Sequence, residues 1–154
     1  MGKTNAMRAL ESAGIPYSVF EYDDSIHSAS AAAQALGVDP GAVFKTLVVV
    51  ADGRRLLVMA PGDRELDLRV VARSVGAKSA RMASQREAEQ WTQLKVGGIS
   101  PLALLGKRFE TFLDESGNVL EYIYINGGRR GLNVRLQRDD LTTITEARVI
   151  RATA

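Results

Sequence analysis

Val43-Phe44-Lys45-Thr46-Leu47-Val48-Val49-Val50 is the most apolar stretch of this 154-residue chain, and it contains one charge, Lys45. Asp39-Pro40-Gly41 precedes it and Ala51-Asp52-Gly53 follows it. A Val-rich run of this length between turn residues is expected to form a buried central strand. An ammonium inside such a strand costs on the order of several kcal/mol unless it is paired or reaches water. Lys45 is therefore either a rim residue reaching solvent or the cation of a pocket for a phosphate, a carboxylate or a developing oxyanion.

Outward from that strand, the turn at Asp52-Gly53 and the apolar run Arg55–Ala60 predict a hairpin. Before it, Thr4–Ala13 has helical spacing, Tyr17–Tyr22 has strand character, and Ser28 or Ser30 can cap a helix over Ala31–Leu36. After it, Asp67 caps a helix over Leu68–Val75, Ser79–Met82 is a short strand, and Ser84-Gln85-Arg86-Glu87 has the form of a capping box. Phe109–Asp114 and Glu121–Asn126 are expected to form a second hairpin through Glu115–Asn118. Leu132–Gln137 alternates as a half-buried strand, followed by a helix at Asp139–Ile144 and a last strand at Ala147–Ile150. Several hairpins with helices between them predict a mixed α/β (α+β) domain rather than a βαβ repeat, with 1–154 forming one domain.

Composition narrows the chemistry. There is no cysteine, which excludes disulfides, a thiolate nucleophile and Cys-ligated metal, and fits a cytoplasmic setting. One histidine, His27, excludes two-histidine zinc sites, so neither a metal nor a cofactor is expected. No apolar run approaches the roughly 18 residues of a membrane span. The net charge is +2, unevenly placed: residues 1–40 carry two basic and five acidic residues, and the remainder carries 18 and 13. That balance suits an anionic partner on the C-terminal side.

Two glycine-rich segments join Lys45 as candidates. Gly97-Gly98-Ile99-Ser100-Pro101 lets the backbone approach a ligand and aim N–H groups at an ester carbonyl or its oxyanion. It is not a phosphate-binding P-loop, since no Gly-Lys-Ser/Thr follows. Asn126-Gly127-Gly128-Arg129-Arg130-Gly131 is either a tight hairpin turn with solvated arginines or a phosphate cradle, with Asn133 two residues beyond. Tyr22 and His27 have plain alternatives as a core aromatic and an exposed loop residue.

Taken in order, V-F-K-T-L-V-V at 43–49, D-L-R-V-V-A-R-S-V-G-A-K at 67–78, V-G-G-I-S-P at 96–101 and I-N-G-G-R-R-G-L at 125–132 resemble the YbaK/EbsC family of aminoacyl-tRNA editing domains. That family includes the free-standing Cys-tRNA(Pro) deacylase and the editing insertion of bacterial prolyl-tRNA synthetases. The resemblance implies a mixed, barrel-like sheet with a pocket on one side. It implies hydrolysis of a mischarged aminoacyl-tRNA, with Lys45 and Gly97 at the chemistry and no fixed protein nucleophile, the substrate thiol attacking its own ester in cysteine-specific members. Tyr22, His27, Ser28, Gly98, Ile99, Ser100, Pro101, Asn126, Gly127, Gly128, Arg130 and Asn133 are the substrate-binding positions it implies, and prolyl-tRNA synthetase a transient partner. The chain departs from the cysteine-specific members at Asn126, where they carry a small hydroxyl residue, and at Asn133, where they carry aspartate. It also reads Leu-Ala-Leu-Leu-Gly after Pro101, where they continue Leu-Gly. The competing reading is a tRNA- or nucleotide-binding or regulatory module that keeps the fold without turnover.

Overall fold

The computed structural model describes residues 2–154. Its centre is a long antiparallel hairpin of β2 (Val43–Ala51) and β3 (Arg54–Pro61), paired in unbroken register from Phe44 opposite Pro61 to Ala51 opposite Arg54. Asp52 and Gly53, both with positive φ, make the turn, which is the conformation a tight hairpin needs. The other strands are β1 (Ser18–Glu21), β4 (Ala80–Met82), β5 (Glu110–Asp114), β6 (Tyr122–Asn126), β7 (Leu132–Gln137) and β8 (Arg148–Ile150). They form one mixed sheet in the order β1-β7-β6-β2-β3-β5-β8, with β4 on β2. The sheet is mixed as expected, and it stays open, with β1 and β8 at its two edges.

Five helices cover it: α1 (Asn5–Ser12), α2 (Ala29–Leu36), α3 (Leu68–Ser74), α4 (Gln85–Thr92) and α5 (Arg138–Thr145). Four have side-chain caps from Thr4, Ser28, Asp67 and Ser84, the last in a full capping box with Glu87. Such caps fix where each helix begins, at typically ~1 kcal/mol each. Ser28 is the cap of α2, while Ser30 donates its hydroxyl to the Gly62 carbonyl (2.8 Å) and ties that helix to the end of β3.

The expected hairpin of Phe109–Asp114 with Glu121–Asn126 does not form. β5 runs parallel to β3 and β8, whereas β6 pairs with β7 and with the start of β2. A 3-10 turn over Glu115–Val119 separates the two strands. The cause is Asp114, a fully buried carboxylate that accepts from Ala152 N–H (2.9 Å), Thr153 N–H (3.1 Å) and Ser116 N–H (3.2 Å). It draws the chain after β5 toward the C-terminal segment. Gly117 then packs where a Cβ would lie 3.0 Å from the Phe44 ring, which locks the turn against the core.

Candidate active site

β2 has two unequal edges. On one, β3 pairs along its length. On the other, β6 pairs only with Val43 and Phe44, and β4 only with Val49 to Ala51. Between them the edge is open, and a cavity of about 440 Å³ lies against it. Lys45, Thr46, Leu47 and Val48 form its floor. Tyr22, Asn126 and Asn133 stand on the β6–β7 side, His27, Ser28 and Ala32 on the α2 side, and Met82, Ala83 and Ala88 on the β4–α4 side. Gly97 and Ile99 close it from the loop after α4.

The gap follows from the glycine segments. Asn126 Nδ2 donates to Gly97 O and to Arg129 O (both 2.9 Å), and its Oδ1 accepts from Gly128 N–H (2.6 Å). One amide therefore staples the two glycine segments together, and only one orientation of it satisfies all three partners. Arg130 Nε adds a second tie, to Val96 O (2.8 Å). Gly98 makes this contact possible: a Cβ there would lie 2.9 Å from Arg130 N. Held in this way, β6 ends at Asn126 and turns away from β2.

Lys45 is only partly exposed, at 22% of its side chain. Its Nζ donates to Arg64 O (2.6 Å) and stands 3.9 Å from Glu65, whose own side chain is in solvent. That carbonyl takes one of its three N–H groups and leaves two for a ligand. Lys45 and Glu65 are the only acidic or basic side chains at the cavity wall apart from His27, among the described residues. Tyr22 donates its hydroxyl to Asn133 Oδ1 (3.1 Å), and burial pushes the Tyr22 phenol up from its ordinary pKa. It is a neutral donor at working pH. Asn126 and Asn133 are direct cross-strand neighbours, so the two positions at which the chain departs from the cysteine-specific pattern form one neutral patch.

Of the residues expected at the site, eight line the cavity: Tyr22, His27, Ser28, Lys45, Gly97, Ile99, Asn126 and Asn133. The other six stand behind it. Ser100 is fully buried and caps a 3-10 turn over Pro101–Leu104 by accepting from Leu102 N–H (3.2 Å), with Pro101 buried at its first position. Gly98 has its N–H on Lys95 O (2.7 Å), so it is not an available oxyanion donor. Gly97, with φ +92°, makes no backbone N–H bond among the described residues. Gly127, Gly128 and Arg130 build the turn that supports the wall, Gly127 N–H bonding Leu132 O (2.8 Å). Thr46 was not expected at the site. A hydroxyl inside a valine run, next to the lysine, was the available signal. No group of three or more His, Asp or Glu is placed to hold a metal ion among the described residues.

Comparison with known proteins places this geometry. The family model of the aminoacyl-tRNA editing domain matches residues 23–144, a span that contains the open edge, both glycine segments and Asn133. The chain belongs to the aminoacyl-tRNA editing domain family. A protein of Enterococcus faecalis designated a Cys-tRNA(Pro)/Cys-tRNA(Cys) deacylase, EbsC, is 34% identical, with 98% of this chain and 93% of that protein covered. A proline–tRNA ligase of Maridesulfovibrio salexigens is 30% identical over 79% of this chain, which corresponds to 22% of the ligase. Among solved structures, one described as a trans-editing enzyme for prolyl tRNA synthetase superposes with a TM-score of 0.84 at 29% identity, covering 100% of this chain and 99% of that one. No helix among the described residues is long and apolar enough to cross a membrane.

Proposed function

We infer that this chain is a trans-editing deacylase that hydrolyses the ester of a mischarged aminoacyl-tRNA, with Cys-tRNA(Pro) the first substrate to test. The observation that carries this reading is the open edge of β2, with Lys45 and Gly97 on one cavity, in a member of the editing-domain family.

An aminoacyl ester is activated already, so holding it and stabilising its oxyanion provide most of what catalysis requires. Lys45 offers two free N–H groups and a positive charge. The Gly97 N–H is a donor with no acceptor to compete for it among the described residues. Together they are the oxyanion and phosphate-side contacts of the site. The chain has no thiol, and the hydroxyls of Ser28 and Ser30 are engaged in the α2 cap and on Gly62 O; the nucleophile we assign is water or a group of the substrate itself. Tyr22, Asn126 and Asn133 make the facing wall neutral, which suits a substrate held by hydrogen bonds rather than by a carboxylate. Prolyl-tRNA synthetase is the proposed transient partner: its relatives carry a matching segment within one chain, and a separate domain must meet the tRNA in trans.

The test is multiple-turnover deacylation of Cys-, Ala-, Ser- and Thr-charged tRNAs by wild type and Lys45→Ala. Removing one oxyanion contact typically costs about 10²–10³ in rate. We expect a fall of at least about 10²-fold for Lys45→Ala with an unchanged melting temperature. Tight tRNA binding with no release of amino acid from any of the four would establish a binding module instead.

A further inference from the structure

The strands beside the cavity have a second face. Ile123, Ile125, Val134 and Leu136 of β6 and β7 point into the core, where Leu10 of α1 and Leu141 of α5 pack with them. Side chains alternate along a strand, so Phe20, Tyr122, Tyr124 and Arg135 stand on the opposite face. The register joins this face to the site. Asn133 lies directly across from both Phe20 and Asn126, and Arg135 directly across from Tyr124. Tyr22, two residues past Phe20, reaches Asn133 with its hydroxyl. Four of the chain's nine aromatic residues are grouped here. Phe20, Tyr122 and Tyr124 belong to none of the three core clusters; Tyr122 is 38% exposed and the other two are half-buried. The Phe20 and Tyr124 rings lie 5.4 Å apart, and the Arg135 guanidinium lies 4.8 Å from the Tyr122 ring centre. Arg135 makes no ion pair or hydrogen bond among the described residues, and of its three nitrogens only Nε is buried. The alternate positions that share this face hold no Asp or Glu.

We propose that this face of β1, β7 and β6 binds the single-stranded nucleotides that precede the esterified 3′ end of the tRNA. Their bases stack against Tyr124 and against the Tyr122–Arg135 pair, and the terminal nitrogens of Arg135 meet the phosphate between them. This rests on the deacylase reading and names the surface along which its substrate arrives. Three features carry it. Half-exposed rings beside a cation are the combination that holds single strands, since every base has a face to stack and every linkage a negative charge. The cation has no carboxylate to neutralise it, so the face is complementary to an anionic partner. The face is also continuous with the cavity: every second residue of a strand advances about 7 Å, which places Arg135 about 7 Å past Asn133 and Tyr122 about 14 Å past Asn126, both away from the glycine segments. With the ester at Lys45 and Gly97, the nucleotide that bears it sits at the Asn126–Asn133 wall, and the strand before it runs on to this face.

The experiment compares two non-hydrolysable probes, alanyl-adenosine in 3′-amide linkage and the same alanyl amide on the trinucleotide cytidylyl-cytidylyl-adenosine. Titration calorimetry is run on wild type, Tyr122→Leu, Tyr124→Leu and Arg135→Gln between about 50 and 200 mM salt. We expect wild type to bind the trinucleotide probe about tenfold or more tighter than alanyl-adenosine. Tyr122→Leu and Tyr124→Leu should each weaken the trinucleotide about fivefold or more, the scale of one lost base stack, and change alanyl-adenosine less than about twofold. Arg135→Gln should weaken the trinucleotide and reduce the slope of log K against log salt by about 0.7, the value for one phosphate of a single strand. If Tyr124→Leu does not fold, the more exposed Tyr122→Leu carries the same comparison. Equal weakening of both probes, or no gain in wild type from the two added nucleotides, overturns the inference and leaves the deacylase reading standing. So do variants that bind the trinucleotide as wild type does but lose association with prolyl-tRNA synthetase, which would assign the face to a protein. Wild type binding neither probe and hydrolysing no charged tRNA overturns both.

Discussion

The two edges of β2 belong to one strand and differ in nearly everything. Along β3 the ladder is complete from Phe44 to Ala51, and the opposing residues Leu56 to Ala60 are all buried. Across the other edge the ladder is interrupted, with cavity where a strand would be. The paired edge carries the fold's stability. The open edge carries unpaired backbone and a partly exposed lysine, both of which favour a polar occupant. A binding site here is a place where sheet pairing is withheld, and Asn126 is what withholds it.

The largest effect expected from breaking this contrast lies on the closed side. Leu56 is fully buried opposite Val49, so Leu56→Ala should cost about 3 kcal/mol, within the usual range for a core leucine. Chemical denaturation measures that loss, while deacylation per folded molecule stays at the wild-type rate. A parallel loss of specific activity would show that the two edges are coupled.

Gly98→Ala acts on the open side. Its Cβ would meet Arg130 N at 2.9 Å and the Arg129 Cα and C at 3.0 Å, so the two glycine segments must separate. We expect a fall of about tenfold or more in kcat/KM with a stability loss of only about 1–2 kcal/mol, the reverse of the Leu56→Ala pattern. Steady-state kinetics beside a melting curve separates the two.

The smallest effect is an acid-side one, at a residue outside the cavity lining. The Arg81 guanidinium and the Ser84 N–H hold Glu87 down to about 2. A depressed carboxylate pKa stabilises the fold above its ordinary value and loses that contribution as pH falls toward the depressed one. Glu87→Gln should therefore lower the melting temperature slightly at neutral pH, lose that deficit as pH falls from about 5 to about 2, and so flatten the acid-side fall, with deacylation at neutral pH unchanged. An altered deacylation rate at neutral pH would contradict the placement of Glu87 outside the site.

Much of this was legible in the residues. The valine run and Asp52-Gly53 announce the central hairpin, because a two-residue turn between apolar runs is a local signal. The order of the lysine strand, Gly97–Pro101 and Gly127–Gly131 announces the editing fold. The supposed second hairpin failed for the opposite reason: Glu115-Ser116-Gly117-Asn118 is a plausible turn locally, and the contacts that decide it, from Asp114 to Ala152 and Thr153, lie 38 and 39 residues away. Asn126 was expected to face substrate, yet an amide bonds backbone and ligand with the same atoms, and nothing in its spacing says which. Ser100 and Gly98 likewise have types that suit a ligand loop and positions that suit its support. Thr46 carried a weak local signal, a hydroxyl inside a valine run beside the lysine, but the missing strand that opens its edge is a property of pairing across the chain.

The most direct test of the central claim is backbone amide chemical-shift mapping on the intact protein, titrated with the non-hydrolysable alanyl-adenosine amide. Binding at the open edge predicts shifts concentrated at Lys45 to Val48, Gly97, Ile99, Asn126 and Asn133, with Leu56 to Ala60 on the paired side quiet. Shifts confined to the surface hollow at Val119–Glu121 and Gln137–Asp139, or spread evenly along both edges of β2, would contradict it.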